Sequence, residues 1–181
     1  RSTLFPYTTL FRSRSSSSNY QYWSVFNKSE TVGDVTPIID LSIGENVTRI
    51  PDYAFRNSTN ITSNIIIPNA TTYIGLYAFH GVRSAELTLG TGVEEIKGYA
   101  FWNCPNMQTV YFNPTNCTSM NTNSQYAVFN GSTSGSTTPI VTLNIGNNVT
   151  RIPDYAFRNS INLTHDIVIP NATTYIGLYS F

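Results

Sequence analysis

The chain of 181 residues carries ten basic and ten acidic side chains, a formal net charge of zero, and 40% apolar residues. Balanced charge advertises no dense basic face of the kind that nucleic acid or an acidic lipid surface demands, and no apolar run approaches the roughly 20 residues of a membrane-spanning helix. Only 11% of residues are charged, so Asn, Ser and Thr carry most of the solvation, and two cysteines indicate neither a disulfide scaffold nor a zinc site.

In chain order, residues 3 to 13, "TLFPYTTLFRS", match the in-frame translation of a sequencing-library adapter. Arg1 and Ser2 are assigned with them, and residues 1–13 are expected to be unstructured or non-native. Setting aside Arg1 and Arg12 leaves eight basic against ten acidic residues, a net charge near −2. A Ser-rich lead-in occupies 14–24. From 25 to 181 the chain is repetitive: "VTRIPDYAFRNS" at 47 to 58 returns at 149 to 160. Around that string, residues 36–79 align without gaps to 138–181, with 34 of 44 positions identical. Such self-similarity is read before anything else, because stacked units otherwise pass for an ordinary domain.

Within the block a shorter unit is anchored by Phe55, Phe79, Phe101, Phe157 and Phe181, each preceded by Ala or, at Phe181, Ser, with looser versions at Phe26 and Phe129. Successive anchors lie 22 to 29 residues apart. Between them runs an apolar alternation such as Leu41 and Ile43, Leu87 and Leu89, or Val110 and Phe112. Its period of two predicts a short strand. A Gly or Pro follows, in "SIGENV", "IIPNAT" or "TLGTGV", and turns the chain. Apolar residues then recur three apart, Val47 and Ile50 or Val93 and Ile96, predicting a corner and a second extended piece. A short helical turn through "YAFRN", "YAFHG" or "YAFWN" is expected to close the unit. One unit buries too few side chains to offset the ordering of its backbone, so units must stack on one another.

The element order, best seen in "LTLGTGVEEIKGYAFWNC" (87 to 104), "IIIPNATTYIGLYAF" (65 to 79) and "IVIPNATTYIGLYSF" (167 to 181), resembles the BspA-like class of leucine-rich repeats. The resemblance implies a leucine-rich-repeat solenoid: a parallel β-sheet of short strands, corners and short helical turns, in about seven units with the last truncated. Departures are local. Cys104 alone keeps the family's cysteine, where Ser58, Val82 and Ser160 stand elsewhere, and "GSTSGSTTP" stretches one unit. On this reading 25–181 is part of a larger array, whose last unit, 167–181, is expected to fray.

If the alternating residues point inward, their neighbours point out. That places Asp40, Ser42, Asn64, Ile66, Glu86, Thr88, Thr109, Tyr111, Thr142, Asn144, Asp166 and Val168 in two rows on one exposed face. Four of the ten differences between the copies fall there, which fits a variable recognition surface and equally fits drift at solvent positions. A second candidate is the column Tyr53, Tyr77, Tyr99, Tyr155 and Tyr179, either gripping a ligand or packing between units. Asn-x-Ser/Thr sequons are abundant, among them Asn46, Asn69, Asn116, Asn148 and Asn171. Cys104 is expected in the core, with pairing to Cys117 as an alternative.

Catalytic, metal and cofactor sites are not indicated. His80 and His165 stand in non-equivalent positions with no nucleophile or carboxylate in a motif around them, and Glu94 and Glu95 read as a solvated pair. Phosphate loops and calcium nonapeptides are absent. The expected function is non-enzymatic: an interaction module of a surface or secreted protein, which the resemblance associates with adhesion to host or neighbouring-cell proteins. A structural spacer and a carbohydrate-binding face are the alternatives. Partners are expected to be extracellular-matrix or cell-surface proteins, with carbohydrate possible and no nucleic acid or membrane insertion.

Overall fold

The computed structural model describes residues 2–3, 40–120, 127–129 and 139–181. The unit anchored by Phe26, the Ser-rich lead-in and the stretch "GSTSGSTT" (131–138) lie outside the described residues, as do residues 1–13 apart from Ser2–Thr3. The fold is a parallel β-solenoid in which each unit forms one coil. Coils 1 to 6 end at Phe55, Phe79, Phe101, Phe129, Phe157 and Phe181.

Among the described residues there are eleven short strands: β1 (Ser2–Thr3), β2 (Leu41–Ser42), β3 (Arg49–Ile50), β4 (Ile65–Ile66), β5 (Tyr73–Ile74), β6 (Glu86–Leu89), β7 (Glu95–Ile96), β8 (Thr109–Phe112), β9 (Thr142–Ile145), β10 (Arg151–Ile152) and β11 (Tyr175–Ile176). They form a four-stranded sheet β4-β6-β8-β9, a three-stranded corner sheet β3-β5-β7, and the pairs β10-β11 and β1-β2, all parallel. Register is exact to the repeat: Ile65 opposes Leu87, Leu87 opposes Val110, and Val110 opposes Leu143. The inward member of each alternation therefore lands on its counterpart one coil away.

The turn between face and corner repeats its hydrogen bond in five coils, the N–H of Val47, Thr71, Val93, Val149 and Thr173 donating to the carbonyl of Gly44, Pro68, Gly90, Gly146 and Pro170. Threonine hydroxyls then tie this turn to the preceding coil. Thr71 donates to the Val47 carbonyl at 2.6 Å, Thr150 to Thr115 at 2.7 Å and Thr173 to Val149 at 2.8 Å. Past the corner the backbones approach so closely that a Cβ on Gly75 would lie 2.4 Å from the Asp52 nitrogen. Glycine is the residue that this approach admits.

The expected helical turn at the anchors is replaced by a different structure, and among the described residues there is no helix. Tyr53, Tyr77, Tyr99, Tyr155 and Tyr179 all hold φ between 53° and 60°, with Asn57, Asn103 and Asn159 similarly left-handed. Alternate N–H groups consequently point in different directions. Those of Tyr53, Phe55 and Asn57 donate to the carbonyls of Leu76, Ala78 and His80 in the next coil at 2.8, 2.6 and 2.7 Å. Those of Ala54, Arg56 and Ser58 donate back to Pro51, Tyr53 and Phe55. A left-handed tyrosine costs roughly 1 kcal/mol, and a helix would avoid that cost. It would also turn every donor inward along its own axis and forfeit the bonds that join coil to coil.

Inside runs a continuous stack of phenylalanines. Ring centroids are 5.1 Å apart from Phe55 to Phe79 and from Phe79 to Phe101, then 5.6, 5.7 and 6.0 Å on to Phe129, Phe157 and Phe181, with every pair within 20° of parallel. Ala54, Ala78, Ala100 and Ala156, buried beside them, keep the layers close. Cys104 and Cys117 are buried free thiols, so the pairing alternative does not hold. Burial pushes both up to about 12, which keeps them protonated and unreactive in the folded coil.

Candidate functional site

The four-stranded sheet sets two rows of outward side chains at fixed spacing. In the first, Asn64 stands beside Glu86, Glu86 beside Thr109, and Thr109 beside Thr142. In the second, Ile66, Thr88, Tyr111 and Asn144 follow one another in register. Asp40 and Ser42 extend the rows into coil 1, where the Leu41 N–H donates to the Ser63 hydroxyl. Asp166 and Val168 extend them into coil 6, tied on where the Thr164 N–H donates to the Val141 carbonyl. All twelve positions are exposed or half-exposed, and their inward neighbours Ile65, Leu87, Val110 and Leu143 are buried. The alternation that builds the core thus also builds the face.

Within the face, polar contacts are few. Asn64 Nδ2 donates to Glu86 Oε2 at 2.8 Å, and His165 Nδ1 lies 3.3 Å from the Thr142 hydroxyl. Ile66, Tyr111 and Val168 are exposed apolar groups in one row.

The tyrosine column is a packed stack. Tyr53 lies 5.6 Å from Tyr77, Tyr77 4.8 Å from Tyr99, and Tyr155 5.6 Å from Tyr179, all nearly parallel. In coil 4 the Ala127 carbonyl accepts from the Tyr99 N–H. Side chains following the anchors close over these rings. The Arg56 guanidinium sits 5.8 Å from Tyr53 and 5.3 Å from Tyr77, Arg158 sits 5.6 Å from Tyr155 and 5.7 Å from Tyr179, and Trp102 leans on Tyr99 at 5.2 Å. The ring faces are thereby turned toward one another and toward these covering groups.

His80, buried in the same ridge, holds Nδ1 3.0 Å from Asn57 Oδ1 and packs against Tyr77 and Trp102. Burial, reinforced by the Arg56 charge, pulls it down to about 4, so it is neutral near pH 7.

A network that the sequence reading left unassigned lies on the corner. The Asp52 carboxylate accepts from the Leu76 N–H at 2.9 Å and the Tyr73 hydroxyl at 3.2 Å, while Arg49 lies 3.7 Å over the Tyr73 ring. Burial first, then Asp52, push the Tyr73 phenol up to about 12. The second copy repeats the arrangement with Asp154, Leu178, Tyr175 and Arg151, and the Asp154 hydrogen bond raises the Tyr175 phenol. Aligning the coils would have revealed it, because Arg49 and Tyr73 occupy one position in successive coils.

Five of the sequons fall at structural turns. Asn46, Asn69, Asn116, Asn148 and Asn171 are exposed between face and corner, Asn69 Oδ1 accepts from the Thr91 N–H, and the threonines of four of these motifs bond the adjacent coil. Turn geometry and the hydroxyl ladder account for Asn-x-Thr at these places. Glu94 is exposed and Glu95 pairs with Lys97. Among the described residues no group of three or more His, Cys, Asp or Glu side chains is placed to hold a metal ion, and no helix is long and apolar enough to cross a membrane.

Comparison with known protein families gives a match to the model described as a BspA type leucine-rich repeat region, in six copies over residues 33–133 and 134–181. No curated protein matches the chain.

Proposed function

The chain belongs to the BspA-type leucine-rich repeat family, and from that premise we propose that it is a non-enzymatic interaction module, binding protein partners through the outward rows of its four-stranded sheet. The proposed setting is a surface or secreted protein, and the proposed role is adhesion to extracellular-matrix or neighbouring-cell proteins. Repeats of this family generally mediate protein interaction, and their sheets offer an extended, rigid surface. One observation carries the assignment to the strand face. Asp40, Ser42, Asn64 and Ile66 all differ from their counterparts Thr142, Asn144, Asp166 and Val168, although the inward positions Leu41, Ile43, Ile65 and Ile67 are unchanged at 143, 145, 167 and 169.

The test is binding to immobilised extracellular-matrix proteins, comparing the native chain with one in which all twelve outward positions are Ser. Circular dichroism checks that both fold. Loss of binding in the Ser variant supports the reading; equal retention refutes it. A second reading, a spacer with no partner of its own, is favoured by the duplicated block, which lengthens the array. It predicts that neither chain is retained.

A further inference from the structure

We infer that the strand face selects cationic partners, whose Lys or Arg side chains align with its acid row while apolar groups meet the adjacent row. The inference rests on the strand-face reading above and names the partner chemistry of that site.

Three of the twelve outward positions are acids, Asp40, Glu86 and Asp166, and none is basic. All three belong to one row, while exposed Ile66, Tyr111 and Val168 belong to the other. At about 4.8 Å per coil, Glu86 stands about 10 Å from Asp40 and Asp166 about 14 Å further along. Such separations are comparable to the Debye length, so each acid meets its own partner charge.

Among the described residues the cations are placed elsewhere. Arg49 and Arg151 lie over Tyr73 and Tyr175, and Arg56 and Arg158 over the tyrosine stacks. Lys97 pairs with Glu95 and also approaches the Tyr73 ring. Among the described residues that leaves Arg83, exposed and three residues before Glu86, at the margin of the sheet. Lys97 and Glu95 form an ion pair in which the face acids have no share. The described residues hold six basic and eight acidic side chains, so among them this asymmetry is a property of one face. Surface complementarity of this kind governs encounter rate and partner choice more than total affinity.

The experiment uses an array of synthetic peptides whose basic, neutral and acidic members share the same apolar residues, probed by the native chain. A D40N/E86Q/D166N variant removes the face acids, and an E45Q/E94Q variant removes two exposed acids off the face, controlling for loss of negative charge elsewhere on the surface. Expected are retention of basic members alone, weakening of about tenfold in the face variant and in high salt, and no change in the control. Equal retention of acidic and basic members, equal behaviour of the two variants, or no retention of any basic member overturns charge selection while leaving the strand face as a site. Undiminished binding by the all-Ser variant instead refutes the strand face itself. Binding confined to oligosaccharides on a glycan array refutes both.

Discussion

Residues 65–79 and 167–181 differ at only two of fifteen positions, Ile66/Val168 and Ala78/Ser180, yet they occupy different structural states. Coil 2 contains strand β4 and lies between coils 1 and 3. Coil 6 rests on coil 5 and has no strand at the corresponding place. Ile67 is 1% exposed against 36% for Ile169, Ile74 0% against 52% for Ile176, and Phe79 0% against 45% for Phe181. The outward pair serves as an internal control, Ile66 at 62% and Val168 at 74%. Nearly identical letters therefore give the same side-chain directions in both places. Burial and strand pairing are contributed by the neighbour.

The comparison is tested most severely by cutting the stack at equivalent rings. Phe79→Ala removes a ring sandwiched between Phe55 and Phe101 and is expected to cost about 3–5 kcal/mol, whereas Phe181→Ala, stacked on one side, should cost about 1 kcal/mol or less. Urea unfolding followed by circular dichroism measures both, and equal losses would mean that burial is not set by the neighbouring coil.

Acid sharpens the contrast, because His80 follows the anchor of coil 2. Its folded value near 4 lies below the ordinary 6.5, so the unfolded chain binds more protons between those limits. Stability is expected to fall as pH drops from about 6.5 toward 4, by up to about 3 kcal/mol, and to level off below. Native-state unfolding at several pH values should show this window in the native chain and lose it in His80→Gln.

The smallest difference concerns the corner. Tyr73→Phe deletes the half-buried hydroxyl bonded to Asp52 and should cost about 1 kcal/mol, with Tyr175→Phe costing less because its phenol lies nearer solvent. Thermal melts of the two single variants decide it, and a larger loss at Tyr175 would contradict the covered-versus-uncovered account.

The period-two alternation and the Phe anchors were legible in the sequence because each encodes a direction, inward or outward, that survives any stacking partner. Their in-register outcome followed from a repeat that returns Leu87 over Ile65 and Val110 over Leu87. Two things were not legible. The turn at "YAFRN" has helix-compatible letters, but its N–H groups are claimed by the next coil, and tyrosine is an unusual host for the left-handed backbone that this requires. The cations over Tyr53, Tyr73 and Tyr77 were also missed, since Arg49 and Arg56 pair with rings more than one position away in sequence only once the coils are superposed. Alternation gives the outward direction of the face residues, but where the remaining charges go depends on which coils and rings meet, and that needed coordinates.

Because the ring stack advances by one layer per coil, the 102-residue separation between the two copies of "VTRIPDYAFRNS" corresponds to four layers, from Phe55 to Phe157. Copying that segment adds a fixed increment of about 20 Å to the rod and presents matching surfaces at both joins. Reach thus becomes a heritable quantity that changes by whole steps: recombination between the repeats can lengthen or shorten the molecule without having to invent a new interior.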